Sequence, residues 1–126
     1  MNIRILLSGV FLVMLSLPAL GETKKVVSYQ SDIRPIINDY CLSCHQPGSK
    51  GYEKSGLDMR TYESLIKGTR YGAVIKAGDS FSSTLIMLVE GRADPSIKMP
   101  FGINGNLSGD KIDLLRKWID QGARNN

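Results

Sequence analysis

One histidine and two cysteines are all that this 126-residue chain has of the side chains that usually hold transition metals. A structural zinc site wants four protein ligands, usually Cys and His, so the inventory stops one short. Long apolar runs are also missing. Ile5 to Leu17 is the only stretch of that kind, and it is shorter than the roughly 20 residues that span a bilayer. There is no internal repeat and no low-complexity tract, and the length leaves room for one core but not for a second domain. The formal net charge is +4, yet Lys50, Lys54, Arg60, Lys67, Arg70 and Lys76 are scattered along a solvated surface. That spacing argues against a nucleic-acid partner. Strand patterns are scarce, which makes the fold class mainly α.

What is present is concentrated in five residues. Cys41-Leu42-Ser43-Cys44-His45 uses both thiols and the only imidazole, at the spacing of a c-type haem attachment site. Each thiol adds across one haem vinyl group, and the adjacent histidine then lies beneath the iron as an axial ligand. A thioredoxin-like redox pair also uses Cys-x-x-Cys, but beside a βαβ unit, and nothing before Cys41 resembles one. A plain structural disulfide would leave His45 without a role. The cofactor expected is therefore one covalently attached haem c. A second Cys-x-x-Cys-His, which a two-centre haem peroxidase would need, is absent.

The first 21 residues read as a secretory signal peptide: Arg4 gives a positive start, Ile5 to Leu17 the apolar run, and Ala19-Leu20-Gly21 the small residues at a cleavage site. No Cys follows at a lipidation position. Export to the periplasm, or otherwise across the bacterial inner membrane, suits a chain whose thiols are to receive haem, and the mature chain carries no transmembrane segment. Arg4 is the only charged side chain of the leader, so the mature chain has a net charge of +3, which haem propionates would lower further.

Residues 22–30 are polar and lack a helical stripe, so they read as a frayed N-terminal lead-in, with the haem domain over 31–124. Ser31 and Asp32 open a helix carrying Ile33, Ile36, Ile37 and Tyr40 towards Cys41, and Pro35 makes its first turn irregular. Gly48 to Gly56 reads as an exposed loop. Thr61 caps a short helix ending at Gly68, and Ala73-Val74-Ile75 is extended. A helix beginning around Ser80 to Ser83 carries Leu85, Ile86, Leu88 and Val89 to Gly91; it is apolar on most sides and so buried. Arg92 to Gly109 is a long irregular loop, and loops of that length are usually functional. Ser108 caps the last helix, with Ile112, Leu115 and Ile119 on one face and Gly122 as its stop. Trp118 falls on that face, which assigns it to the core rather than to a haem propionate.

With His45 the sole histidine, bis-histidine ligation within one chain is excluded, and methionine is the next choice for the second axial position. Met87 lies inside the apolar helix as core filler. Met99, in the long loop just before Pro100, is the preferred ligand, because that loop is placed to drape over the second haem face; Met59 is the runner-up, and an open or Lys-ligated iron is the remaining option.

The haem motif, Ser55-Gly56-Leu57-Asp58, Ala77-Gly78-Asp79-Ser80, Lys98-Met99-Pro100 and the ending Trp118-Ile119-Asp120-Gln121-Gly122-Ala123 together resemble the small planctomycete-type c-type cytochrome domain, over roughly residues 30 to 124. The resemblance implies a class I cytochrome c-like fold with several short helices and long loops around one covalently bound haem. It also implies His and Met axial ligands, here His45 and Met99. The implied function is that of an electron carrier, or an electron-accepting module of a larger redox enzyme, whose partners are redox proteins. A monomer is expected. Two departures stand out: Gln46 follows the haem histidine where glycine is common, and Phe101 follows Met99-Pro100 where a second proline is common. The competing readings are a haem enzyme subunit or gas sensor with an open sixth position, and a haem-free thiol-disulfide protein.

Overall fold

The computed structural model describes residues 25–102 and 106–126. The assigned leader and loop positions 103–105 lie outside the described residues. The architecture is mainly α: α1 (Arg34–Tyr40), α2 (Lys50–Ser55), α3 (Tyr62–Lys67), α4 (Thr84–Glu90) and α5 (Gly109–Asp120), with a π-helical turn at Tyr29–Ile33 and a 3₁₀ turn at Pro95–Ile97. Among the described residues there is no strand, only an isolated bridge between Thr69 and Gly72. None of the described helices is long and apolar enough to cross a membrane.

The irregular start expected near Pro35 is a wide turn that begins two residues earlier than Ser31. Ser28 and Asp32 close it reciprocally: the Ser31 N–H donates to Ser28 Oγ at 3.2 Å and the Ser28 N–H to Asp32 Oδ2 at 2.9 Å. Pro35 has no N–H to give, and at the second position of α1 none is needed. The polar lead-in is not frayed where it is described. Val27 and Tyr29 are buried, and Asn126 holds this segment from the far end of the chain, its Oδ1 accepting from the Tyr29 N–H at 2.9 Å and its carbonyl from the Gln30 N–H at 3.1 Å.

Tyr29 sits edge-on to Tyr62, with ring centres 5.1 Å apart, and 5.5 Å from Trp118, so three aromatics join the N-terminal turn, α3 and α5. Trp118 is core, as its helical spacing indicates, and its indole N–H donates to the Arg124 carbonyl at 2.9 Å. Ile33, Ile36, Ile37, Leu65, Ile86, Leu115 and Ile119 belong to the same buried cluster. Helix α4 turns Leu85, Ile86 and Val89 inward, in keeping with its apolar sequence. Its end is tied to α5 through Glu90, which pairs with both Arg92 and Arg116.

The stretch between Gly48 and Gly56 differs from the sequence expectation, because it contains α2 rather than a loop alone. Ser49 precedes the helix in an extended conformation, and Gly56 ends it with φ +75°, where a Cβ would be strained. No α2 residue is buried, so composition alone concealed it. By contrast, the Thr61 start of α3 is realised as a capping box, with Thr61 Oγ1 accepting from the Ser64 N–H at 3.1 Å and Ser64 Oγ from the Thr61 N–H at 3.2 Å.

Asp120, near the end of α5, fastens the connection that leads into α4. Its carboxylate accepts from the Ser80 N–H at 2.8 Å and from the Ser80 hydroxyl at 3.0 Å, and Ser80 is buried. Removing that acceptor strands both donors. Asp120→Ala is expected to lose about 1–3 kcal/mol of stability in urea unfolding, and Asp120→Asn less, since one carbonyl oxygen remains. Equal and negligible losses for the two would contradict this role.

Candidate functional site

Helix α1 delivers the thiols. Its Ile37 carbonyl is doubly satisfied, because the Cys41 and Leu42 N–H groups both donate to it, at 3.0 and 2.9 Å. The chain then tightens: the Cys44 N–H reaches Cys41 O at 3.2 Å, and the His45 N–H is shared between Cys41 O at 3.1 Å and Leu42 O at 3.2 Å. One turn thus carries Cys41, Cys44 and His45 together. Both cysteines are free thiols, Cys41 half-buried and Cys44 exposed. Burial, and secondarily the neighbouring Cys44, push the Cys41 pKa up to about 11, so that sulfur is held as a thiol.

His45 is one of only three buried polar residues among those described. Burial lowers its pKa, and the Leu57 carbonyl opposes this only in part. The imidazole is accordingly neutral near pH 7, the form that can give a lone pair to a metal. Its Nδ1 is buried and makes no hydrogen bond among the described residues.

The main chain around His45 is fully committed. The Met59 N–H donates to His45 O at 2.8 Å, and Arg34 Nη1 in turn donates to Met59 O at 2.9 Å. On the other side, Cys44 O accepts from Ser49 Oγ at 2.5 Å and from the Tyr52 N–H at 3.0 Å, so α2 is docked on the turn. These supporting contacts were not foreseen from sequence. The available signal was the pairing of Ser49 with Gly56, a start and a stop framing six residues.

The three methionines separate clearly. Met59 is only 5 % exposed and belongs to the core cluster, with its main chain bonded to the His45 carbonyl. Met87 is half-buried on α4. Met99 is half-buried against the core, in the loop between the 3₁₀ turn and α5, and its N–H donates to Leu88 O at 3.1 Å. The peptide bond from Met99 to Pro100 is cis. Met99 is therefore anchored to α4, whereas Met59 is anchored to the Cys41–His45 turn.

The donor set fits a covalently held haem better than a chelated ion. Among the described residues no three His, Cys, Asp or Glu side chains cluster so as to hold a metal ion. What the turn offers instead is two reduced sulfurs and a neutral, buried imidazole within five residues, the chemistry that haem c requires. The unpaired Nδ1 shows that the ring is not engaged as an ordinary, fully bonded core histidine.

Comparison with known proteins bears on the same segment. No curated protein and no solved structure matches the chain. Residues 41–100 match the family model described as Planctomycete cytochrome C, a span that opens on Cys41 and closes on Pro100, and so takes in the thiols, His45, Met59 and Met99. Cytochrome c domains of this kind carry haem c and serve electron transfer. The helical fold, the thiol and imidazole turn and this match together support a planctomycete-type cytochrome c domain over residues 41–100.

Proposed function

We propose that the protein is an exported, periplasmic mono-haem c-type cytochrome that passes single electrons between redox protein partners and is not itself an enzyme. In this reading residues 1–21 are a signal peptide removed on export, residues 22–30 lead in, and 31–124 form the haem domain of a monomer. Cys41 and Cys44 hold the haem through thioethers, and His45 and Met99 are the axial ligands. The observation that carries the reading is the turn that joins an exposed Cys44, a half-buried Cys41 and a buried neutral His45.

The haem supplies a one-electron iron couple, and a thioether opposite an imidazole favours the ferrous state relative to two imidazoles. The protein's own residues do the rest. His45 is kept neutral by burial, and its backbone is fixed by Met59, Cys41 and Leu42, so the main chain that carries the ring does not shift with oxidation state. Leu57 and Met59, both buried, meet the His45 segment through their main chains, Leu57 by its carbonyl and Met59 by its N–H. Fixed groups of this kind keep the rearrangement on electron transfer small.

Met99 is preferred to Met59 on connectivity. Met59 is tied by its main chain to the His45 carbonyl, and its side chain is already core. To act opposite His45 it would have to leave that core. Met99 lies on a separate loop, held through Leu88 and flanked by Lys98, whose side chain rests against Gly91.

The haem-loaded protein is expected to show sharp reduced α and β bands and, when oxidised, a weak sulfur-to-iron charge-transfer band. Met99→Ala should abolish the weak band and allow the ferrous form to bind CO rapidly; Met59→Ala should retain the band, with a stability loss of about 2–5 kcal/mol typical of a truncated core methionine. The converse pattern, with the band lost only in Met59→Ala, would reverse the ligand assignment.

A further inference from the structure

We infer that Gly51 is a positioning residue for the His45 imidazole, an assignment that rests on the haem reading above. Gly51 is the second residue of α2, and its φ is not in the left-handed region, so nothing in its own backbone calls for glycine. A glycine inside a helix is also about 1 kcal/mol less favourable than alanine. The reason for it lies in what it faces. A Cβ built at Gly51 would overlap Cys44 O and come within 3.1 Å of both the Cys44 carbonyl carbon and His45 Cε1. At Gly48 and Gly109 the same addition meets nothing within 4 Å.

None of the neighbouring main-chain groups is free to give way. Cys44 O is held by Ser49 Oγ and by the Tyr52 N–H. The His45 amide and carbonyl are held by Cys41, Leu42 and Met59. Gly51 itself is pinned from behind, its carbonyl accepting from Ser55 Oγ at 2.7 Å. An added methyl is therefore absorbed in one of two ways: α2 lifts off and breaks the Tyr52 to Cys44 bond, or the imidazole turns. Cε1 lies between the two ring nitrogens, so a push at that atom reorients both the lone pair offered to the iron and the opposite nitrogen. Outer contacts of this kind set the direction and basicity of a metal-bound histidine. The bare Cα of Gly51 forms the wall that sets the ring plane.

The test uses the haem-loaded full chain, read by low-spin ferric EPR and by the midpoint potential, with thermal unfolding alongside. Gly51→Ala is expected to shift the EPR signal and the potential, with part of the iron converted to high spin. Ser49→Ala removes a hydroxyl from the same carbonyl without adding an atom, and is expected to displace the same signal less. Asn126→Ala, which weakens the terminal clamp around Tyr29, should lower thermal stability with the native signal and potential intact. If Gly51→Ala does not accumulate with haem, Ser49→Ala decides: a displaced signal supports the assignment. Native EPR and potential in Gly51→Ala, or in Ser49→Ala where Gly51→Ala does not accumulate, would overturn it and leave Gly51 a packing residue. Absence of covalent haem from the wild-type chain would instead bring down the haem reading itself.

Discussion

The docking of α2 against the carbonyl of Cys44 is the contact on which the site depends. A five-residue turn that presents two sulfurs and a buried imidazole has too few neighbours of its own to fix an orientation. It is fixed from outside, by Ser49 and Tyr52 on the Cys44 carbonyl and by Met59 on the His45 carbonyl. Arg34 extends the second arm back to α1, so the helix that delivers Cys41 also braces the segment that holds His45. Arg34 apart, each partner in this ring is a main-chain group or a short side chain. The resulting geometry is stiff because it leaves few rotamers to vary.

That small ring is supported by a core built largely from the two ends of the chain. Tyr29, Tyr62 and Trp118 bring the N-terminal turn, α3 and α5 together, and Asn126 closes the loop between residues nearly a hundred positions apart. Helix α4 and the Met99 loop hang from the same core through Glu90, Arg92 and Arg116 and through Leu88. The two sides of the proposed haem site thus reach the core by separate routes, α1 and α2 on one side and α4 on the other. Such an arrangement holds a histidine and a methionine independently, which suits a couple that changes charge without changing ligands.

Much of this could be read from sequence because its causes are local. Thr61 with Ser64, Gly91 after an apolar run, and the period of Ile112, Leu115 and Ile119 with Trp118 are start, stop and face signals that act within a few residues. The thiol and imidazole spacing is local too. What stayed hidden depends on distant partners. Tyr29 and Val27 sit in a polar stretch without periodicity and are buried only because Asn126 and Gln121 supply their hydrogen bonds from the other terminus. Helix α2 has no buried residue to betray it, and the need for glycine at position 51 exists only once Cys44 and His45 are packed against it.

The most direct measurement is the intact mass of the protein recovered from cells that mature c-type cytochromes, combined with titration of its thiols under denaturing conditions. A chain whose mass is raised by one haem that survives acidified acetone, with no titratable thiol at Cys41 or Cys44, is the expected result. A chain of unmodified mass that yields two free thiols, or a reducible disulfide, would contradict the assignment of Cys41, Cys44 and His45 to a haem.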